Sequence, residues 1–102
     1  EFRDQAWYDE AVYQLLREHG AAFCIYQLAG HESPREITAD LVYVRLHGPG
    51  GAYQGSYDDE TLSGWAGALT QWAKRGEVYC YFDNDEKGYA ARDAARLAEM
   101  VA

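Results

Sequence analysis

Apolar residues recur along this chain with two different periods. From Asp9 to His19, the residues Val12, Leu15, Leu16 and His19 fall three and four positions apart, the spacing that gathers side chains on one face of a helix. Asp9 is placed to cap that helix and Gly20 to close it. Ala21–Leu28 is a short apolar run with Phe23, Ile25 and Tyr26, which predicts a buried strand. Gly30–Asp40 is polar, contains Pro34 and has no clean period, so it reads as a connection with at most one short helical turn. Leu41–His47 then alternates, with Val42, Val44 and Leu46 on one face and Tyr43, Arg45 and His47 on the other. Gly48-Pro49-Gly50-Gly51 ends that strand.

The helical period returns from about Asp58 to Lys74, where Leu62, Trp65, Ala66, Leu69, Trp72 and Ala73 form a stripe. Ser56 and Asp58 are cap candidates, Asp59 and Glu60 suit the positive end of the helix dipole, and Gly76 closes the segment. Glu77–Asp83 alternates again, with Val78, Cys80 and Phe82 opposite Tyr79, Tyr81 and Asp83. A last helix is predicted from about Gly88 to Met100, with Ala90, Ala94, Leu97, Ala98 and Val101 inward. Glu1-Phe2-Arg3 reads as the tail of a further strand. Strands alternating with helices imply parallel pairing and right-handed crossovers.

An open doubly wound sheet would cover both strand faces with helices and leave Arg45 needing a buried partner. A barrel places aliphatic residues against the helices and polar ones inward, which matches the two-sided strands Leu41–His47 and Glu77–Asp83. A complete barrel needs more than twice this length. The expected fold is therefore α/β, the C-terminal part of a TIM-like (β/α) barrel, with residues 1–102 a single domain segment.

The same stretches resemble the YecE-like family (DUF72), uncharacterised TIM-barrel-like proteins. The resemblance rests on Glu1-Phe2-Arg3 with Trp7, on Tyr43-Val44-Arg45-Leu46-His47-Gly48, on Tyr57-Asp58-Asp59-Glu60-Thr61-Leu62 with Trp65, and on Tyr81-Phe82-Asp83-Asn84-Asp85 with Gly88 and Ala90. It covers nearly the whole chain. Family members are longer, so the resemblance implies that N-terminal barrel strands are missing here. The chain departs from the family at Asp83, where the pattern looks like Asn, and at Gln27, where an acidic strand end is usual. The resemblance implies no settled reaction.

Composition narrows the function classes. The formal net charge is −8, and basic residues are interspersed with acidic ones, which counts against nucleic acid as a partner. A hydrophobic share of 48% excludes a disordered tail, and no apolar run reaches membrane-spanning length. Cys24 and Cys80 each sit inside an apolar run with no second Cys at metal spacing, which suits reduced, buried thiols and a cytoplasmic location. Strands without barrel neighbours invite self-association through exposed edges.

Barrel enzymes place catalytic groups at strand C-termini. Those positions here supply Glu1, Arg3, Gln27, Arg45, His47, Asp83 and Asn84, while Trp7, Tyr53 and Tyr57 in loops can wall a mouth suited to a small polar or anionic ligand. His47 is the candidate acid/base, Arg45 the anion clamp, and Asp83 or Glu1 its charge partner; Asn84 and Tyr57 are candidate hydrogen-bond donors. His47 can equally be a loop anchor and Arg45 a structural ion pair. Glu1, His47 and Asp83 have donor atoms that suit a divalent ion, but no local spacing supports one, so no metal is assigned and any cofactor stays unknown. Gly48-Pro49-Gly50-Gly51 is a flexible loop or a phosphate nest, with Pro49 lacking one donor. The leading expectation is an enzyme acting on a small polar or phosphorylated metabolite. The alternatives are a noncatalytic ligand- or protein-binding module and a metal-dependent nuclease-like barrel.

Overall fold

Alternation and helical spacing sort the chain into the elements seen in a computed structural model, which describes residues 1–101. Helix α1 spans Glu10–Glu18, strand β1 Cys24–Leu28, β2 His31–Glu32, β3 Val42–Leu46, helix α2 Asp59–Ala73, β4 Val78–Phe82 and helix α3 Tyr89–Val101. Short 3-10 turns cover Gln5–Trp7 and Glu86–Gly88. Asp9 caps α1 by accepting from the Ala11 N–H at 2.8 Å, and Asp58 caps α2 by accepting from the Thr61 N–H at 2.7 Å. Ser56, the other cap candidate, bonds elsewhere.

The strands form a four-stranded sheet in the order β2-β1-β3-β4. β1 runs parallel to β3 and β3 parallel to β4, so all three end at the same side of the sheet. The α/β class is as expected, with one addition. The Gly30–Asp40 connection contains β2, which pairs antiparallel with β1 through Gln27 with Glu32 and Leu28 with His31. No helical turn forms there. Instead, side chains complete the edge of β1. Ser33 Oγ accepts from the Tyr26 N–H at 2.9 Å, and Thr38 Oγ1 accepts from the Phe23 N–H at 2.8 Å. Buried backbone donors need partners, and two hydroxyls supply them where a neighbouring strand does not. Residues 1–3, read as a strand tail, lie outside any strand.

Ile25, Val42, Val44, Leu46, Leu62, Trp65, Ala66, Leu69 and Leu97 make the core between the sheet and its helices. Burying that apolar surface is the main force holding the layers together. Arg35 covers the Trp65 ring, its guanidinium carbon 4.1 Å from the centroid. In α1 the inward residues are Tyr13, Val12 and Leu16, whereas Leu15 and His19 face water. Tyr13 claims the core position because its ring meets Phe23 edge-on at 5.6 Å. The second strand face carries Tyr43, Arg45, His47, Tyr79, Tyr81 and Asp83, and Tyr79 and Tyr81 are exposed. Gly76 lets the start of β4 pass close to β3, since a Cβ there would lie 2.1 Å from the Asp40 carbonyl oxygen. Among the described residues no helix is long and apolar enough to cross a membrane.

Candidate functional site

The parallel register sets Gln27 beside Leu46 and Leu46 beside Phe82, which brings the residues that follow β3 and β4 together. The His47 N–H bonds to the Gln27 carbonyl at 2.8 Å, and the Asp83 N–H to the Leu46 carbonyl at 3.1 Å. His47 has a fully buried side chain. Its Nδ1 lies 2.6 Å and 2.8 Å from the two Asp83 carboxylate oxygens, and its Nε2 lies 3.0 Å from Glu1 Oε1. A neutral imidazole has one N–H, so only the doubly protonated ring donates to both carboxylates. Arg45 reaches the same two groups, Nη1 to Glu1 Oε1 at 3.3 Å and Nη2 to Asp83 Oδ2 at 3.4 Å.

Burial on its own would raise the Glu1 pKa. Hydrogen bonds and charge from His47 and Arg3 outweigh it and hold the carboxyl below its ordinary value. Arg3 is held more firmly protonated by Tyr53 and by Glu1, to which it also donates through Nε. Its guanidinium carbon sits 5.3 Å from the centroid of the Tyr26 ring. Tyr26 and Tyr53 flank His47 edge-on, at 6.0 Å and 5.6 Å between centroids. Glu1, Arg3, Arg45, His47, Tyr53 and Asp83 therefore form one cluster. Glu1 and Asp83 sit against opposite nitrogens of the ring, so the three do not converge on a single point. Among the described residues no group of three or more His, Cys, Asp or Glu is arranged to hold a metal ion.

The loop after His47 is tied down. Gly48 has φ 140, and its N–H donates to the Tyr57 hydroxyl at 2.9 Å. That hydroxyl in turn donates to Gln27 Oε1. The Gly48 N–H is thus already used, which removes one donor from any phosphate nest. Tyr53 closes the turn by donating its N–H to the His47 carbonyl at 2.7 Å, and it holds φ 60, a left-handed conformation rare for a side-chain-bearing residue. Tyr57 is buried with its hydroxyl doubly engaged, and burial pushes its pKa above the ordinary tyrosine value. Asn84 is also buried, its amide donating to the Gly55 carbonyl at 2.8 Å and to Asp93 Oδ2 at 2.9 Å. A donor role toward a ligand for Tyr57 or Asn84 requires breaking these bonds, while Asn84 Oδ1 has no partner among the described residues. Trp7 is 52% exposed and stacks on Phe2 at 5.5 Å.

Pattern reading passed over two groups. One is Tyr8, Tyr26 and His31. The Tyr8 hydroxyl lies 3.0 Å from the Phe2 carbonyl, 3.2 Å from the Tyr26 hydroxyl and 3.1 Å from His31 Nε2. His31 stands in the polar Gly30–Asp40 stretch, where no local spacing marks its partners, and the structure places it in β2. The other is Asp93 on α3, which is fully buried. It accepts from Ser56 Oγ at 2.7 Å, the Tyr57 N–H at 2.9 Å, Asn84 Nδ2 at 2.9 Å and Arg96 Nη1 at 3.1 Å. Burial would raise its pKa, but these donors hold it below the ordinary aspartate value. A signal was available, since Asp93 stands on the Ala90, Ala94, Leu97 stripe, where a carboxylate must have partners. Cys24 and Cys80 are free thiols whose pKa values burial pushes up to about 11 and about 12, which keeps them protonated and poorly nucleophilic.

The sequence profile of the family described as "Protein of unknown function DUF72" matches residues 1–102. A crystal structure of a DUF72 family protein (TM1631) from Thermotoga maritima MSB8 is similar to this chain at 29% identity and a TM-score of 0.91, covering 99% of this chain and 44% of that one. Two structures of a DUF72 family protein (EF0366) from Enterococcus faecalis V583 share the fold. One has 19% identity, a TM-score of 0.86 and 98% and 45% coverage, the other 22%, 0.81, and 97% and 46%. The chain thus spans under half the length of these proteins. None of the curated proteins compared with it matches.

Proposed function

Because this chain belongs to the DUF72 family of proteins of unknown function, we propose a function from the chemistry of its site: residues 1–102 are one wall of a TIM-like (β/α) barrel, and their strand ends act on a small polar or phosphorylated metabolite. Sequential neighbours β1, β3 and β4, helices against one sheet face, and a polar and aromatic second face that leaves Tyr79 and Tyr81 exposed support the barrel. So does the greater length of the related structures.

The observation that carries the enzymatic reading is the buried His47 with a carboxylate on each ring nitrogen. Asp83 holds Nδ1 with both oxygens and fixes the ring plane, whereas Glu1 meets Nε2 through one oxygen. Nε2 is then the nitrogen that exchanges a proton with substrate, once a ligand group takes the place of Glu1. Arg45 and Arg3 would hold the ligand's anionic end. The test is incubation of the intact protein with phosphorylated sugars and nucleotides, read by phosphorus NMR. Conversion that is lost in His47→Gln supports the proposal. Bound ligand with no conversion overturns catalysis and favours a binding module, a reading that the exposed Trp7 and Tyr53 rings also support.

A further inference from the structure

We infer that Asp93 is a positioning residue for His47, acting from the far side of the sheet through two arms, one to the residue after Asp83 and one to the turn that follows His47. The inference rests on the His47 site proposed above. One arm runs from Asp93 Oδ2 to Asn84 Nδ2 at 2.9 Å. Asn84 is the next residue after Asp83, whose carboxylate grips His47 Nδ1. The other arm runs from Asp93 Oδ2 to the Tyr57 N–H at 2.9 Å. The Tyr57 hydroxyl then takes the N–H of Gly48, the residue next to His47, and donates to Gln27 at the end of β1. One carboxylate on α3 thereby sets the end of β4, the turn after β3 and, through Gln27, the end of β1.

The junction is built for a carboxylate. Ser56, the Tyr57 backbone, Asn84 and Arg96 all present donors to it. An aspartate offers about four lone-pair sites and no proton, so it can satisfy all of them. Asparagine can accept at one oxygen only and would turn its own NH2 against the other donors. Arg96 adds a bond to the Tyr57 carbonyl at 2.8 Å and a pair with Asp59, which fastens the same loop to the start of α2. Asn84 Oδ1 has no partner among the described residues, whereas all four donors that face Asp93 are taken up by its carboxylate; in a low-dielectric site, losing one member of such a network loosens the rest.

The experiment is nitrogen NMR of the histidine rings in the intact protein, with the His47 signals assigned by their absence in His47→Gln. Asp93→Asn is compared with Leu97→Ala, a core truncation one turn along the same helix that opens a cavity without touching the network. The expected result is that Asp93→Asn moves or broadens the His47 ring signals while Leu97→Ala leaves them in place. If Asp93→Asn does not fold, Ser56→Ala removes a single donor from the junction and is read the same way, with a smaller displacement expected. Unchanged His47 signals in a folded Asp93→Asn or Ser56→Ala protein overturn the inference and leave Asp93 a purely structural group. Displacement equal to that in Leu97→Ala overturns it too. The proposed function fails separately, when His47→Gln leaves ligand binding and conversion intact although the Asp93 effect on the ring is present.

Discussion

Replacing Tyr57 by Phe removes one oxygen and nothing else. The ring keeps its edge contact with Phe82 at 5.9 Å, so packing changes little. What changes is that two buried groups lose their partner, the Gly48 N–H at 2.9 Å and Gln27 Oε1. An unsatisfied buried donor or acceptor costs about 1–3 kcal/mol. Gln27 Nε2 retains its bond to the Pro49 carbonyl at 3.3 Å, which leaves Oε1 and the Gly48 N–H as the two groups without a partner. The sum is ~3 kcal/mol. Tyr79→Phe is the control. Its hydroxyl also makes a hydrogen bond, to Glu77 at 2.8 Å, but both groups face water, and the loss should stay under about 0.5 kcal/mol. Urea denaturation of the intact protein measures both, as a fall in midpoint at unchanged slope. Equal midpoints for the two variants would refute the claim that the Tyr57 hydroxyl clamps the turn after His47.

Other outcomes follow from the same structure. Gly76→Ala forces a Cβ to within 2.1 Å of the Asp40 carbonyl and should lower the urea midpoint, whereas Gly67→Ala, on the open side of α2, should gain about 0.5–1 kcal/mol. Arg45→Gln should cost less than about 1 kcal/mol in thermal or urea unfolding, because the Arg45 side chain is 38% exposed and its contacts are long; a larger loss would show a pair shielded from water. Glu1 and Asp93 have pKa values below their ordinary 4.5 and 3.8, so each contributes stability above those values that is lost as pH falls through the depressed ones. Urea midpoints should therefore decline on acidification below about pH 4.5, and Glu1→Gln should flatten that decline; an identical acid profile would contradict the pairing of Glu1 with His47 and Arg3.

Much of the framework was legible because period reports burial. α2 repeats Leu62, Trp65, Ala66 and Leu69 inward, and β3 alternates Val42, Val44 and Leu46, so tertiary packing and local pattern agree. In α1 the spacing places Val12 and Leu16 correctly but misses Tyr13, which counts weakly as apolar although its ring fills the space beside Phe23, and Leu15 and His19 face water instead. β2 escaped notice because two residues have no period, and its pairing depends on the turn through Ala29 and Gly30, both at positive φ. At the site, strand-end position points to Glu1, Arg45, His47 and Asp83; the parallel register explains why Arg45, His47 and Asp83 meet, whereas Glu1 reaches them from outside any strand. The side of His47 that each carboxylate takes cannot be read from spacing, since Glu1 and Asp83 stand 46 and 36 residues from it. Asp93 was hidden for a similar reason, because its partners come from three different segments.

The central claim is that the His47 cluster is a ligand site. Thermal unfolding of the intact protein with inorganic phosphate, phosphorylated sugars and nucleotides, alongside His47→Gln and Arg45→Gln, tests it most directly. A true ligand at about 100 times its Kd should stabilise the protein by about 2.7 kcal/mol, and that gain should vanish in both variants. Stabilisation that survives both substitutions, or none from any compound, would contradict a ligand site at His47.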